Sequence, residues 1–118
     1  MSDGRTVEDV IKNIGSNGSV YPIVYHDSFD TEITLTPNTF HVWEDAEDTL
    51  TLLFGEGIDG IMNEYLFQFS YAQLGYSLSL PSTVKWADDI IPDFSDISFI
   101  YQVSIVNNCA TMLKFKKS

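Results

Sequence analysis

Short segments in which apolar residues alternate with Thr, Ser, Gln or Lys fill the chain from residue 20 to its C-terminus. The clearest of them are residues 33–35, 40–43, 50–54, 65–70, 78–80, 84–86, 101–105 and 112–115. This alternation is the period of a β-strand with one buried face. Short strands separated by turn residues are typical of an antiparallel sandwich or barrel. We therefore predict an all-β domain over residues 20–118, an antiparallel, jelly-roll-like β-sandwich of seven to nine strands.

Turn residues and large apolar side chains refine this prediction. Pro37-Asn38 indicates a turn, and Asn107-Asn108 indicates a tight hairpin because Asn tolerates positive φ. Pro22 lacks an amide donor, so it belongs at a sheet edge or outside the ladder. The expected core or near-core residues are Trp43, Leu52, Phe67, Phe69, Trp86 and Ile105.

The first 19 residues differ from the rest and form a second unit, an N-terminal arm. Thr6 can cap a short helix that ends at Gly15. One face of this helix is apolar and consists of Val7, Val10, Ile11 and Ile14. A helix this short does not persist alone in water, so its apolar face must dock on the chain's own sandwich, on a neighbouring subunit or on a larger assembly. We predict contact with another protein, with residues 16–19 (Ser-Asn-Gly-Ser) as a flexible joint.

Charge excludes two classes of partner. The chain has 17 acidic and 6 basic residues, a net charge of −11. Nucleic acids and anionic membrane surfaces both require clustered Lys and Arg. No apolar run reaches the length of a bilayer span, and the first residues do not resemble a secretion signal. The single cysteine, Cys109, allows no internal disulfide and is expected to be a small buried hydrophobic residue.

Several groups of polar residues are weak candidates for a metal or catalytic site. Two sets of acidic residues could hold calcium, but neither has the spacing of a calcium loop, so solvated acidic turns are the expected reading. The two sets are His26, Asp27, Asp30 and Glu32, and then Asp88, Asp89, Asp93 and Asp96. His26 and His41 could form a metal or acid–base pair, but zinc normally needs three or four ligands. We expect no metal, no cofactor and no catalytic residue, since phosphate loops, nucleophile elbows and HExxH pairs are also missing from the sequence.

Aromatic residues suggest a second function class. Tyr71 and Tyr76 flank the turn at residues 72–75 and are predicted to be an exposed pair. Aromatic faces stack on the apolar faces of sugars, so both are candidate glycan contacts. The alternative reading of the chain is therefore a carbohydrate-binding module that attaches to host or mucus glycans.

An ordered succession of motifs also resembles a known family. The motifs are ITLTPNTF at 33–40, LTL at 50–52, NEYLFQF at 63–69, LSLP at 78–81, VKWA at 84–87 and YQVSI at 101–105. This succession resembles a small β-domain of head-fibre and tail-associated virion proteins from tailed phages that infect gut bacteria. The resemblance implies a non-enzymatic structural protein, made in the host cytoplasm and displayed on the virion.

The same resemblance implies partners for the chain. It suggests a capsid-attached head-fibre or decoration protein that binds a capsid or adjacent shell protein through its arm. Phage fibres and decorations are usually symmetric, so the resemblance also implies a homo-oligomer, either a dimer or a trimer.

Overall fold

Nine β-strands and one short 3₁₀ helix form the regular structure of residues 21–117, the part of the chain that this computed structural model describes. The strands are β1 (Ile23–His26), β2 (Glu32–Leu35), β3 (Phe40–Ala46), β4 (Leu50–Phe54), β5 (Glu64–Tyr71), β6 (Leu78–Ser79), β7 (Lys85–Trp86), β8 (Phe99–Val106) and β9 (Cys109–Lys116), and the 3₁₀ helix is Ala87–Asp89. The predicted all-β class and the predicted number of strands are confirmed for this part. The predicted arm helix lies outside the described residues.

The first seven strands alternate between two sheets. The larger sheet has the order β1-β3-β5-β8-β9-β7, and the smaller one has the order β2-β4-β6. The first six strands therefore wind through three turns, each turn adding one parallel strand to each sheet. The β8–β9 hairpin then pairs antiparallel to β5, and β7 joins the far side of β9.

The prediction that the strands pair antiparallel is wrong for most of the described strand pairs. Five of the seven strand pairs are parallel, and only β5–β8 and β8–β9 are antiparallel. A jelly roll is built from antiparallel strands, so it does not describe this connectivity. Parallel neighbours need a long crossover between them, and here a strand in the opposite sheet provides it.

Backbone and amide contacts hold successive turns together at their corners. The Asn38 side-chain amide donates to Asn63 Oδ1 at 2.9 Å, and Asn38 Oδ1 accepts the Glu64 N–H at 2.9 Å. The Gly55 N–H donates to the Leu35 carbonyl at 2.8 Å, and a Cβ at Gly55 would lie only 2.9 Å from that oxygen. These contacts fix how one turn of the chain stacks on the next.

One hydrophobic core receives side chains from both sheets. The large sheet contributes Trp43, Phe67, Phe69, Tyr101, Val103 and Ile105, and the small sheet contributes Leu35, Leu50 and Leu52. The predicted core residues are confirmed, with Trp86 half-buried at the margin. Among the described residues, no helix has the length and apolar character needed to cross a membrane.

Candidate functional site

The two histidines of the chain meet under the first turn of the fold. His26 at the end of β1 and His41 in β3 are 15 residues apart, but their rings are hydrogen-bonded, with His26 Nε2 2.8 Å from His41 Nδ1. The His26 ring also stacks on Trp43, with ring centroids 4.3 Å apart. The parallel register aligns His26 with Trp43, which brings both histidines to the same face of the sheet.

The backbone of Thr36 sets the protonation of this pair. The Thr36 N–H donates to His41 Nε2 at 3.1 Å, which leaves Nδ1 as the protonated nitrogen of His41. His41 Nδ1–H then donates to His26 Nε2, and His26 Nδ1–H faces Asp30 Oδ2 at 4.0 Å. The Thr36 carbonyl lies 3.3 Å from the same His41 nitrogen. In either tautomer only one proton fits between the two rings.

Burial keeps both rings neutral. Desolvation lowers the pKa of His26, and the nearby Asp30 carboxylate offsets this only in part. Desolvation also lowers the pKa of His41, where a Thr36 hydrogen bond acts in the opposite direction. A second proton between the two rings would place two N–H groups against each other, so a proton could be added only at an outer ring nitrogen, such as His41 Nε2 beside the Thr36 carbonyl. The histidine pair is therefore a neutral structural contact at pH 7.

The arrangement does not form a metal centre within residues 21–117. The facing nitrogens of His26 and His41 bond each other, so they cannot both ligate one ion. No group of three or more His, Cys, Asp or Glu side chains among the described residues is placed to hold a metal ion. Candidate calcium ligands instead accept local backbone N–H groups, as Asp93 does from Ser95 and Asp96 from Ser98.

The prediction of an exposed Tyr71–Tyr76 pair is wrong for Tyr71. Tyr71 is 1% exposed, and its hydroxyl donates to the Ser77 carbonyl and accepts the Leu50 N–H. Burial raises the pKa of Tyr71 to about 12. This ring lies on the inner face of β5, so it fills the core and is not accessible to a ligand.

Tyr76 lies at a surface groove that the sequence did not indicate. The groove has a volume of about 450 Å³ and runs between the β6–β7 segment and the loop after the 3₁₀ helix. Its aromatic and proline lining consists of Tyr76, Pro81, Trp86, Pro92 and Phe94. The Tyr76 hydroxyl accepts a hydrogen bond from Gln73 Nε2 at 2.8 Å. Trp86 and Pro92 belong to separate sequence segments, so only the fold brings them to Tyr76.

The prediction for Cys109 has a definite outcome, whereas the predictions for the arm residues do not. Cys109 is exposed at the start of β9, so the expectation that it is buried is wrong. The four apolar arm residues, Val7, Val10, Ile11 and Ile14, lie outside the described residues, and their role in partner binding stays a prediction.

Comparison of the chain with protein-family models, curated proteins and solved structures finds no significant match.

Proposed function

We propose that this chain is a structural protein of a bacteriophage virion, a capsid-attached head-fibre or decoration protein that displays its β-domain. The main support is the order of the motifs that resemble this family. These motifs fall on strands β2 to β8 in sequence, so they correspond to the framework of the fold and not to scattered loops.

The physical character of the body supports a display role. Its two sheets share one aromatic core, which gives a sandwich-like body with a fixed shape. In this proposal, the arm at residues 1–19 binds a capsid or adjacent shell protein through its apolar helical face. The short joint at 16–19 lets the body swing while the arm stays attached. The domain acts as a binding and display module, without an enzymatic step.

Particle incorporation tests the attachment role of the arm. We expect that replacing Val7, Val10, Ile11 and Ile14 together by Ser abolishes incorporation, because each buried aliphatic side chain contributes roughly 1.5–3 kcal/mol on docking. The matched control replaces four polar arm residues, Glu8, Asp9, Lys12 and Asn13, by Ser. This control should incorporate normally. Quantitative immunoblotting of purified particles gives the copy number.

The outcomes separate attachment from folding. Circular dichroism of both variants should show an intact β-domain. If the variant with the altered apolar face is incorporated normally, the attachment surface lies on the β-domain and not on the arm. If the apolar-face variant loses its folded β-domain and the polar control variant does not, the arm packs on the β-domain of its own chain.

The groove at Tyr76 favours a second candidate function, binding of a carbohydrate. Half-buried Tyr76, which lines the same groove as Trp86, can stack on a sugar ring, and Asp93 and Ser95 in the groove lining offer hydrogen-bonding groups. We expect glycan-array binding that Tyr76→Ala abolishes. Phe29→Ala is the control, because Phe29 is an exposed aromatic residue in the β1–β2 connection. An array with no glycan bound by the unmodified protein would remove this candidate.

A further inference from the structure

The aromatic groove at Tyr76 has a carboxylate in its wall. Tyr76 and Trp86 are half-buried in the groove lining, and the Phe94 ring, whose centroid lies 5.8 Å from that of Trp86, is 8% exposed. Asp93 directly precedes Phe94, is exposed to solvent and also lines the groove. Flat apolar side chains and a charged group therefore line one cavity of about 450 Å³.

Local hydrogen bonds favour the ionised form of the Asp93 carboxylate. The Ser95 N–H donates to Asp93 Oδ1 at 2.9 Å. Hydrogen bonds from Ser95 lower the pKa of Asp93, and the charge of Lys114 acts in the same direction, whereas burial and the nearby Asp96 act against it. A carboxylate has about four acceptor positions, so Asp93 can still accept hydrogen bonds from a ligand. The groove therefore presents a negative charge at neutral and mildly acidic pH.

Basic side chains near the groove do not neutralise this charge. Among the described residues, Asp93 is the one charged side chain in the groove lining. Lys85 directly precedes Trp86, but alternation along β7 points these two side chains to opposite faces. Lys114 Nζ lies 4.5 Å from the centre of the Phe99 ring, outside the groove lining. With a net charge of −11 on the chain, an anionic ligand is repelled from the groove and a cationic ligand is attracted.

We propose that the groove at Tyr76 selects sugars by charge and binds oligosaccharides with free, protonated amino groups, such as those of glucosamine. Tyr76 and Trp86 stack on the apolar face of a sugar ring, and the sugar ammonium group donates to the Asp93 carboxylate. An ammonium group is also attracted to the face of an aromatic ring. Asp93 repels acidic sugars, such as uronic and sialic acids. This inference rests on the carbohydrate-binding candidate and narrows it to one class of glycan.

The exposure of Asp93 limits the size of this preference. An ion pair at an exposed site changes a binding constant by up to roughly fivefold, and dissolved salt screens it. We therefore expect an amino sugar to bind up to roughly fivefold more tightly than its N-acetylated counterpart, in which the nitrogen is neutral. The difference should decrease as the salt concentration rises, and also as the pH rises above the pKa of the sugar amine. Stacking on Tyr76 involves no charge on the sugar, so the N-acetylated sugar should bind equally well under all these conditions.

Isothermal titration calorimetry with three probes tests the selection by charge. The probes are oligomers of equal length of glucosamine, of N-acetylglucosamine and of mannuronic acid, titrated at low salt. The unmodified protein should bind the glucosamine oligomer most tightly, the N-acetylated oligomer more weakly and the acidic oligomer not measurably. Asp93→Asn should reduce glucosamine binding to the level of the N-acetylated oligomer. Asn keeps an oxygen that accepts the Ser95 N–H, so this variant removes the charge and retains the local hydrogen bond.

Asp96→Asn is the matched control for the loss of one negative charge. Asp96 lies in the same loop and accepts the Ser98 N–H at 2.9 Å, but it is not part of the groove lining. This variant should keep the preference for the amino sugar. Equal losses in the Asp93→Asn and Asp96→Asn variants would assign the preference to the overall charge of the chain and overturn the inference. Glucosamine binding that survives Tyr76→Ala would do the same.

Two further outcomes separate this inference from the carbohydrate-binding candidate on which it rests. If the amino and N-acetylated oligomers bind equally and Tyr76→Ala abolishes both, the selection by charge is wrong and the groove is still a carbohydrate site. If none of the three oligomers binds, the inference is wrong, and the glycan array decides whether the groove binds any other sugar.

Discussion

At the scale of single residues, the histidine pair shows how burial and one hydrogen bond determine a protonation state. His41 is buried, and Thr36 offers it both a donor and an acceptor. His26 completes the contact by stacking on Trp43. Burial disfavours the charged form of both rings and lowers the pKa of each, so the folded state favours the neutral rings.

We expect the folded domain to lose stability as the pH falls below about 6.5. Both histidines have a folded pKa below the usual histidine value of about 6.5, so the unfolded chain binds more protons in this window. This contribution is fully present above pH 6.5 and is lost as the pH falls toward the lowered folded values. Urea unfolding on either side of pH 6.5 measures the change. The His26→Gln/His41→Gln double variant should show a smaller change in midpoint; an equal change in both proteins would assign the effect to other groups.

Phe67 tests the packing of the core at a single position. Its side chain is fully buried and stacks near Phe69, with ring centroids 5.8 Å apart. Phe67→Ala should lower the free energy of unfolding by about 3–5 kcal/mol, because it removes contacts and leaves a cavity. Phe29→Ala should change it by less than about 0.5 kcal/mol, since Phe29 is 77% exposed. Similar losses in the two variants, measured by urea denaturation, would contradict the described core.

The sequence predicts which residues join the core more reliably than it predicts which residues contact each other. Phe67 and Trp43 lie in alternating segments, so their burial follows from the pattern. Tyr71 continues the alternation of Phe67 and Phe69, so the same pattern favours its burial, and the predicted exposure relied instead on the nearby turn. The His26–His41 contact depends on the register between β1 and β3, and no local pattern contains that register.

At the scale of elements, strand positions follow from the sequence but strand partners do not. Alternation specifies which face of a strand is buried, and it is the same for parallel and antiparallel pairs. Ile23 pairs with Phe40, 17 positions further along, because β2 crosses to the other sheet before the chain returns. The predicted antiparallel order assumed that consecutive strands pair, and only β8 and β9 do so. The groove at Tyr76 was missed for the same reason.

The β8–β9 hairpin gives an element-scale prediction. Its two-residue turn holds Asn107 at φ 53° and Asn108 at φ 62°, and the Asn108 carbonyl accepts the Lys85 N–H at 2.7 Å. Asn108→Val should lower the free energy of unfolding by roughly 1–2 kcal/mol, because a β-branched residue is strained in this conformation. Asn108→Gly is the conservative control and should retain or slightly raise stability, since Gly adopts positive φ freely. A higher thermal unfolding midpoint for Asn108→Val than for Asn108→Gly would contradict the described turn geometry.

At the scale of the whole molecule, we propose that the arm at residues 1–19 attaches a β-domain of fixed shape to the virion. The described β-domain has its own hydrophobic core and a surface groove at Tyr76. The body should therefore fold after deletion of residues 2–18, and the deleted chain should fail to join particles.

Mass spectrometry of purified virions tests whether this chain is a protein of the phage particle. Particles are produced from the genome that encodes the chain, purified by density gradient and analysed by quantitative peptide counting against the major capsid protein. If it is, intact particles should contain peptides of this chain at a fixed ratio to the capsid protein, and repeated purification should not change that ratio. Peptides that occur in the lysate but disappear from particles on purification would contradict a virion role.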